Sequence, residues 1–70
     1  MKYTLSFPEN LKSEMKSAHM SQEKLAKALN TTQATVSRWA SGENEPDFQT
    51  LLQICQILNV TPNELLGWED

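Results

Sequence analysis

The sequence has a single cysteine and a single histidine, and this scarcity excludes several kinds of site. One cysteine cannot form a disulfide within the chain, and one histidine is too few for a metal cluster or a Cys-His catalytic pair. Cys55 falls on an apolar helical face, where we predict a buried small hydrophobe. We therefore expect no enzyme, no metal site and no cofactor.

Long apolar runs are also missing. None approaches the roughly 20 residues that a membrane-spanning helix needs, and the first seven residues lack the apolar segment of a signal peptide, so we expect a cytoplasmic protein. Seventy residues with 39% hydrophobic side chains suffice for one small domain, whose core would be only marginally stable alone. Dimerisation would help to stabilise it.

Basic residues are absent from the second part of the chain. All six lie in residues 1–42, against three acids, whereas residues 43–70 hold six acids. The net charge of -3 argues against a nucleic-acid-binding protein, because phosphate contacts need local positive potential. The uneven distribution leaves the basic part free to approach DNA while the acidic part faces away.

Two short helical patterns occupy the basic part, with a three-residue break between them. Ser21 and Thr32 stand where N-caps are needed, and Asn30 follows the first helix, where a left-handed residue is usual. Together they predict a tight helix-turn-helix. The apolar stripes of its two helices are Leu25, Ala26 and Leu29, then Val36, Trp39 and Ala40.

This stretch resembles the helix-turn-helix of the lambda-repressor, Cro and XRE family of prokaryotic and phage regulators. SQEKLA is similar to the support helix and TTQATVSRW to the recognition helix, followed by SG, and the resemblance runs from about Leu11 to Leu66. It implies an all-α, compact five-helix DNA-binding domain of a transcriptional regulator, a phage or prokaryotic repressor that binds a double-stranded operator as a homodimer.

The resemblance also implies which residues contact DNA, because the second motif helix of the family enters the major groove. Gln33 can then pair with adenine, Arg38 with guanine, and Ala34 can offer a methyl contact to thymine. Gln22 and Lys27 match positions that contact the DNA backbone. The full candidate set is Gln22, Lys27, Thr32, Gln33, Ala34, Thr35, Ser37, Arg38 and Asn44.

Two other interpretations remain open. The polar residues of the second motif helix can be the solvated side of an amphipathic helix, although a face without any acid is unusual for solvation alone. The acidic part of the chain can instead bind a protein partner, as in an antitoxin or an anti-repressor, and this function can coexist with DNA binding.

The sequence departs from the family in two places. Many relatives carry Arg where Met15 stands and Glu where Ala40 stands, and both positions are apolar here, which we interpret as a buried ion pair replaced by packing. Relatives often offer basic side chains to phosphates from the loop after Gly42. Acids fill that loop here, which leaves Asn44 and backbone N–H groups for the task.

The remaining helices follow from caps and apolar spacing. Helix 1 begins either at Pro8 or one residue earlier, through a capping box from Ser6 to Glu9, and reaches about Ala18. Helix 4, residues 48–58, is predicted as the central core helix, capped by Asp47, and helix 5 covers residues 62–66 behind a second capping box. The predicted buried positions are Leu11, Met15 and Ala18 on helix 1, and Phe48, Leu51, Leu52, Cys55 and Leu58 on helix 4, with Ile54 and Ile57 beside them.

Residues 2–7 of the N-terminal arm, which covers residues 1–7, alternate polar and apolar side chains. They form either an extended arm on the helices or a strand that pairs with its own copy in a dimer. We divide the chain into this arm, a DNA-binding domain over residues 8–67 and an acidic tail over residues 68–70. The candidate dimer contacts are Tyr3, Leu5, Phe7, Leu66 and Trp68.

Overall fold

The computed structural model describes residues 7–67. Within that range the chain forms five α-helices and no strand, which confirms the expected fold class. None of these helices is long and apolar enough to cross a membrane. The helices are α1 (Phe7–Ser17), α2 (Gln22–Leu29), α3 (Gln33–Ser41), α4 (Phe48–Leu58) and α5 (Pro62–Leu66).

The first helix corrects the predicted boundary of the N-terminal arm. Phe7 is the first residue of α1 and only 2% of its surface is exposed. The reason is periodicity, since Phe7, Leu11 and Met15 recur every four residues and all three are buried on one face. Pro8 fits at the second helical position, where its missing N–H has no intrahelical acceptor to lose. Phe7 is therefore part of the core.

Side-chain caps begin each of the other four helices at the predicted residues. The backbone N–H of Lys24 donates to Ser21 Oγ over 3.1 Å, and equivalent bonds reach the caps of α3, α4 and α5. At α5 the reciprocal bond of a capping box is also formed. These acceptors satisfy N–H groups that a helix start leaves without a partner. The caps are Ser21, Thr32, Asp47 and Thr61.

Helices α1, α2 and α4 end through the same backbone conformation. After α1, α2 and α4 the chain turns through a left-handed residue that is not glycine: His19, Asn30 and Asn59, with φ of 55°, 59° and 58°. The next residue donates back to a carbonyl five positions earlier, as in Met20 N–H to Met15 O over 2.8 Å. The left-handed conformation was predicted at Asn30 and not at His19.

The core lies where the five helices meet. α3 packs against α1 and α2, while α5 packs against α1 and α4, and α4 also packs against α2. Ala18 is exposed just beyond the end of α1, so its predicted burial is wrong. The buried side chains are Phe7, Leu11, Met15, Leu25, Ala26, Val36, Trp39, Ala40, Ile54, Cys55, Leu58 and Leu65.

Helix α4 is less enclosed than predicted. Ile54, Cys55 and Leu58 are buried, but Phe48 is 75% exposed and Leu52 is 38% exposed. α4 packs only on α2 and α5 among its strong helix contacts, so a side of the helix remains uncovered. The prediction that Phe48 and Leu52 belong to the buried stripe is wrong.

Candidate nucleic-acid interface

The α2–α3 unit is a tight turn between two capped helices. Asn30 ends α2 in the left-handed conformation, with φ 59° and ψ 43°, and two residues later Thr32 caps α3. Thr31 N–H donates to Ala26 O over 2.8 Å, which closes the turn. Leu25 and Val36 are fully buried, so backbone bonds and core packing both fix the relative position of the two helices.

Helix α3 has one buried and one exposed face. Val36, Trp39 and Ala40 are in the core, and the first, second, fifth, sixth and ninth residues of the helix are exposed. At about 100° per residue these five positions span an arc of roughly 140°. This surface, the α3 outer face, consists of Gln33, Ala34, Ser37, Arg38 and Ser41.

Four of the predicted DNA contacts therefore share one surface. The fifth residue of the α3 outer face, Ser41, was missed, although its spacing of four residues from Ser37 could have indicated it. The hydroxyl of Ser41 donates to the carbonyl oxygen of Arg38 over 3.1 Å. Part of its hydrogen-bonding capacity is therefore used within the helix.

The two threonines at the start of α3 are bonded to each other. Thr35 N–H donates to Thr32 Oγ1 over 3.2 Å, and the two hydroxyl oxygens are 2.9 Å apart. Thr35 is half-buried while Thr32 is exposed. Their hydroxyls hold the helix start in place, which leaves Gln33 and Arg38 as the longer polar side chains of this helix that extend from its surface.

Positive charge is available on both motif helices. Lys27 lies near the end of α2 and Arg38 in the last turn of α3, both exposed, and the first turn of α3 has no acid. Among residues 7–67 the ion pair within 4.0 Å joins Lys12 to Glu9 on α1, at 3.8 Å. Gln22, at the start of α2, is half-buried. Within the described range, Arg38 and Lys27 have no acidic partner within 4.0 Å.

The loop after α3 offers less to an anion than expected. The N–H groups of Glu43 and Asn44 both donate to the carbonyl oxygen of Arg38, over 2.9 and 3.2 Å. These two donors close the end of α3, so fewer backbone N–H groups of the loop remain for the predicted phosphate contacts. The side chain of Asn44 is exposed and is the remaining candidate donor there.

At the end of the same loop Asp47 serves α4. Thr50 N–H donates to Asp47 Oδ1 over 2.8 Å, and hydrogen bonding from the Thr50 side chain and backbone lowers the pKa of this carboxyl. Asp47 therefore stays ionised near neutral pH and adds negative charge beyond the motif.

Met15 and Ala40, the two apolar residues that depart from the family pattern, both lie in the core. Met15 on α1 is 5% exposed and Ala40 on α3 is 4% exposed, and α1 packs against α3. No charged or polar residue is buried among residues 7–67. Both positions therefore lie in an apolar core.

The candidate dimer contacts are only partly described. Phe7 is buried within one copy of the domain, so it cannot contact a second copy, and its assignment to a dimer interface is corrected. Leu66 is half-buried and packs against the core. Tyr3, Leu5 and Trp68 lie outside the described residues.

Comparison with known proteins agrees with this architecture. The sequence profile of the family described as Helix-turn-helix matches residues 11–65. The chain belongs to the helix-turn-helix family of the lambda-repressor, Cro and XRE type. The crystal structure of a transcriptional regulator from Listeria innocua superposes with a TM-score of 0.83 at 30% identity, covering 91% of this chain and 60% of that one.

Curated helix-turn-helix relatives are longer than this chain. The transcriptional regulator YqaE of Bacillus subtilis is 36% identical over 90% of this chain and 54% of its own length. The transcriptional activator BcrR of Enterococcus faecalis is 32% identical over 94% of this chain and 32% of its own length. The chain thus spans between a third and about half of these relatives.

Proposed function

We propose that this helix-turn-helix domain binds double-stranded DNA sequence-specifically and acts as the operator-binding part of a transcriptional regulator. The observation that carries the proposal is the α3 outer face. It is exposed, free of acids and fixed by caps at both ends of the helix. A rigid helix with such a face is suited to the major groove, where base edges offer both donors and acceptors.

The side chains on that face have distinct roles in the proposal. Arg38 donates two hydrogen bonds to guanine, Gln33 pairs with adenine through its amide, and Ala34 contacts the methyl group of thymine. Ser37 and Thr35 supply shorter hydroxyl contacts. Because Arg38 and Gln33 lie more than one turn apart, they would contact different base pairs.

Contacts to the phosphate backbone come from around this face. Lys27 on α2 and Gln22 at the start of α2 contact phosphates on one side, and Asn44 does so beyond the end of α3. Thr32 holds the helix start. Few cations take part and acids follow the motif, so we expect moderate affinity that falls with added salt.

Two copies of the domain bind one operator in this proposal. Two related half-sites about one helical turn apart match the two-fold symmetry of a dimer. The same DNA contact serves a repressor or an activator, and one of the relatives is named an activator. The alternative function, a protein-binding module of the antitoxin or anti-repressor type, is supported by four exposed acids of the second part of the chain, Glu43, Glu45, Asp47 and Glu64.

Selection of bound duplexes from a random pool tests the proposal. The wild-type chain should enrich a motif of two related half-sites, and the double variant Gln33→Ala, Arg38→Ala should lose preference at two positions of each half-site. Lys27→Ala is the control, since it removes one positive charge and should keep the motif. Binding without any enriched motif would show that the α3 outer face does not recognise base sequence and is only the solvated side of the helix. No DNA binding together with capture of a stable protein partner would favour the alternative function.

A further inference from the structure

Helix α4 has an exposed side that DNA binding does not explain. Its five exposed residues again fall at the first, second, fifth, sixth and ninth helical positions. Phe48 and Leu52 are the exposed large hydrophobic side chains of residues 7–67, and they lie one turn apart on the same side. This surface, the α4 outer face, consists of Phe48, Gln49, Leu52, Gln53 and Gln56.

The chemistry of the α4 outer face is unusual for this chain. Charged residues make up 21% of the sequence, yet none of the 11 residues of α4 is charged. The centres of protein interfaces are depleted of charge and enriched in aromatic side chains in the same way. Exposure of an aromatic ring to water is unfavourable, so burial of Phe48 by a partner would stabilise the bound state.

We propose that the α4 outer face contacts the same face of a second copy of this chain. In a two-fold contact the same surface of each copy meets the other, so any charge on it would face a like charge and be repelled. An uncharged face avoids this, and glutamine amides both donate and accept, which makes them complementary to themselves. A basic partner would instead be attracted to the acids that flank the helix, such as Glu45 and Asp47.

The proposal rests on the proposed function in one respect, because it supplies the dimer that would bind two half-sites. The area of the α4 contact limits the affinity between the two copies. An 11-residue helix is about 16 Å long, and one side of it covers less than the roughly 800 Å² per partner of a standard interface. We therefore expect weak association of the free chain, which becomes cooperative binding when two half-sites hold two copies side by side.

Sedimentation equilibrium of the full 70-residue chain, from about 10 μM to about 1 mM, tests the contact without DNA. The wild type should form dimers at the upper concentrations. Phe48→Glu and Phe48→Gln should each weaken association about tenfold or more, since an aromatic anchor is lost. Both variants should fold, because the residue is exposed and a first-turn Glu is favourable at a helix N-terminus.

Ser13→Glu is the matched control, since it adds the same charge at an exposed position of α1 and should associate like the wild type. A second measurement compares binding to one half-site and to two. Phe48→Gln should keep wild-type affinity for a single half-site and lose cooperativity on the pair. If the wild type dimerises but fails to bind DNA, the proposed function fails while the α4 contact stands.

Two results would overturn the α4 contact. The first is a wild-type chain that remains monomeric at 1 mM, on the order of the weakest specific association expected. The second is association of both Phe48 variants at wild-type strength, which would place the dimer elsewhere, for example at Leu66 or in the residues before Phe7.

Discussion

Helices α3 and α4 repeat one burial pattern with an offset of 15 residues, from Gln33 to Phe48. In both, the first, second, fifth, sixth and ninth positions are exposed, and the seventh and eighth are buried. Trp39 and Ala40 occupy those inner positions in α3, as Ile54 and Cys55 do in α4. The two helices thus present equal arcs to their surroundings.

The exposed residues of the two helices share glutamine but otherwise differ in chemistry. The α3 outer face carries hydroxyl, amide and guanidinium groups, which match the polar edges of base pairs. The α4 outer face carries an aromatic ring, an aliphatic side chain and amides, which match another protein surface. The inner positions set how a helix sits in the fold, and the outer positions select what it can bind.

The largest expected effect comes from adding a glutamate to the buried side of α3, compared with adding one to its exposed side. Ala40→Glu places a carboxylate in the core with no partner and should destabilise the domain by about 3 to 5 kcal/mol. Ala34→Glu makes the same change on the α3 outer face and should alter stability by less than about 0.5 kcal/mol. Urea unfolding of both variants measures the difference.

Met15→Arg in the Ala40→Glu background extends this test. Because α1 packs on α3, the guanidinium should pair with the new carboxylate and recover part of the lost stability. An unchanged midpoint for Ala40→Glu alone would contradict burial of that position, and no recovery in the double variant would contradict the proposed ion-pair replacement.

The next effect separates sequence recognition by the α3 outer face from general attraction to DNA. Arg38→Ala should cost about 1 to 3 kcal/mol on the selected operator and relax preference at one base position. Lys27→Ala should weaken binding to every sequence alike and lower the salt slope by about one. Titrations with the operator, its single-base variants and random DNA at several salt concentrations distinguish the two. Equal losses for Arg38→Ala on all sequences would make it a phosphate contact.

A smaller effect concerns the ends of the two helices. Gly42, after α3, has φ 85°, and a Cβ there would lie 3.3 Å from Pro8 Cγ. Gly42→Ala should therefore destabilise by about 1 to 2 kcal/mol. After α4, Asn59→Gly should change stability by less than about 1 kcal/mol. Glycine adopts the left-handed conformation with less strain than asparagine, but it also gives the unfolded chain more conformational entropy, and the two effects oppose each other.

Thermal unfolding measures both changes at the helix ends. Adding Pro8→Ala to Gly42→Ala should recover the steric part of the loss and leave the conformational part. A Gly42→Ala variant as stable as the wild type would show that the end of α3 can relax away from α1.

The smallest effect distinguishes the two N-caps by pH. Thr32 caps α3 with a neutral hydroxyl, whereas Asp47 caps α4 with a carboxylate whose pKa is lowered. A lowered folded-state pKa stabilises the fold above the unfolded value, about 3.9, and this stabilisation is lost as the pH falls through the folded value. Asp47→Asn should therefore show a shallower loss of stability below about pH 4 than the wild type.

The matched change for the pH experiment is Thr32→Ser, which keeps a hydroxyl cap and should follow the wild-type pH profile. Urea midpoints from pH 7 to pH 2 provide the measurement. Identical slopes for the wild type and Asp47→Asn would contradict a contribution from ionised Asp47.

Most helix boundaries could be predicted because their causes are local. Ser21, Thr32, Asp47 and Thr61 are strong caps, and each accepts the backbone bond expected of it. The end of α1 is different. His19 adopts a left-handed conformation, which histidine enters less readily than glycine does, so the local signal for that boundary is weaker.

Burial was harder to predict where tertiary contacts decide it. Apolar spacing alone assigned Phe48 and Leu52 to the core and Phe7 to an arm. Which side of α4 is covered depends on where α2 and α5 pack, and spacing along one helix does not contain that information. Four of the five members of the α3 outer face could be predicted because the family resemblance adds to the periodicity, whereas Ser41 was missed. The hydrogen bonds that the loop after Gly42 makes to the end of α3 could not be predicted from the sequence.

The buried thiol of Cys55 provides a way to observe motion in this domain. Its side chain is 5% exposed, and burial raises its pKa, so a thiol reagent reacts only while α4 is transiently detached. Since Cys55 is the one cysteine in the sequence, its modification rate reports that opening without any added label. Comparing this rate with and without operator DNA would show whether DNA binding by α3 also reduces the opening of α4.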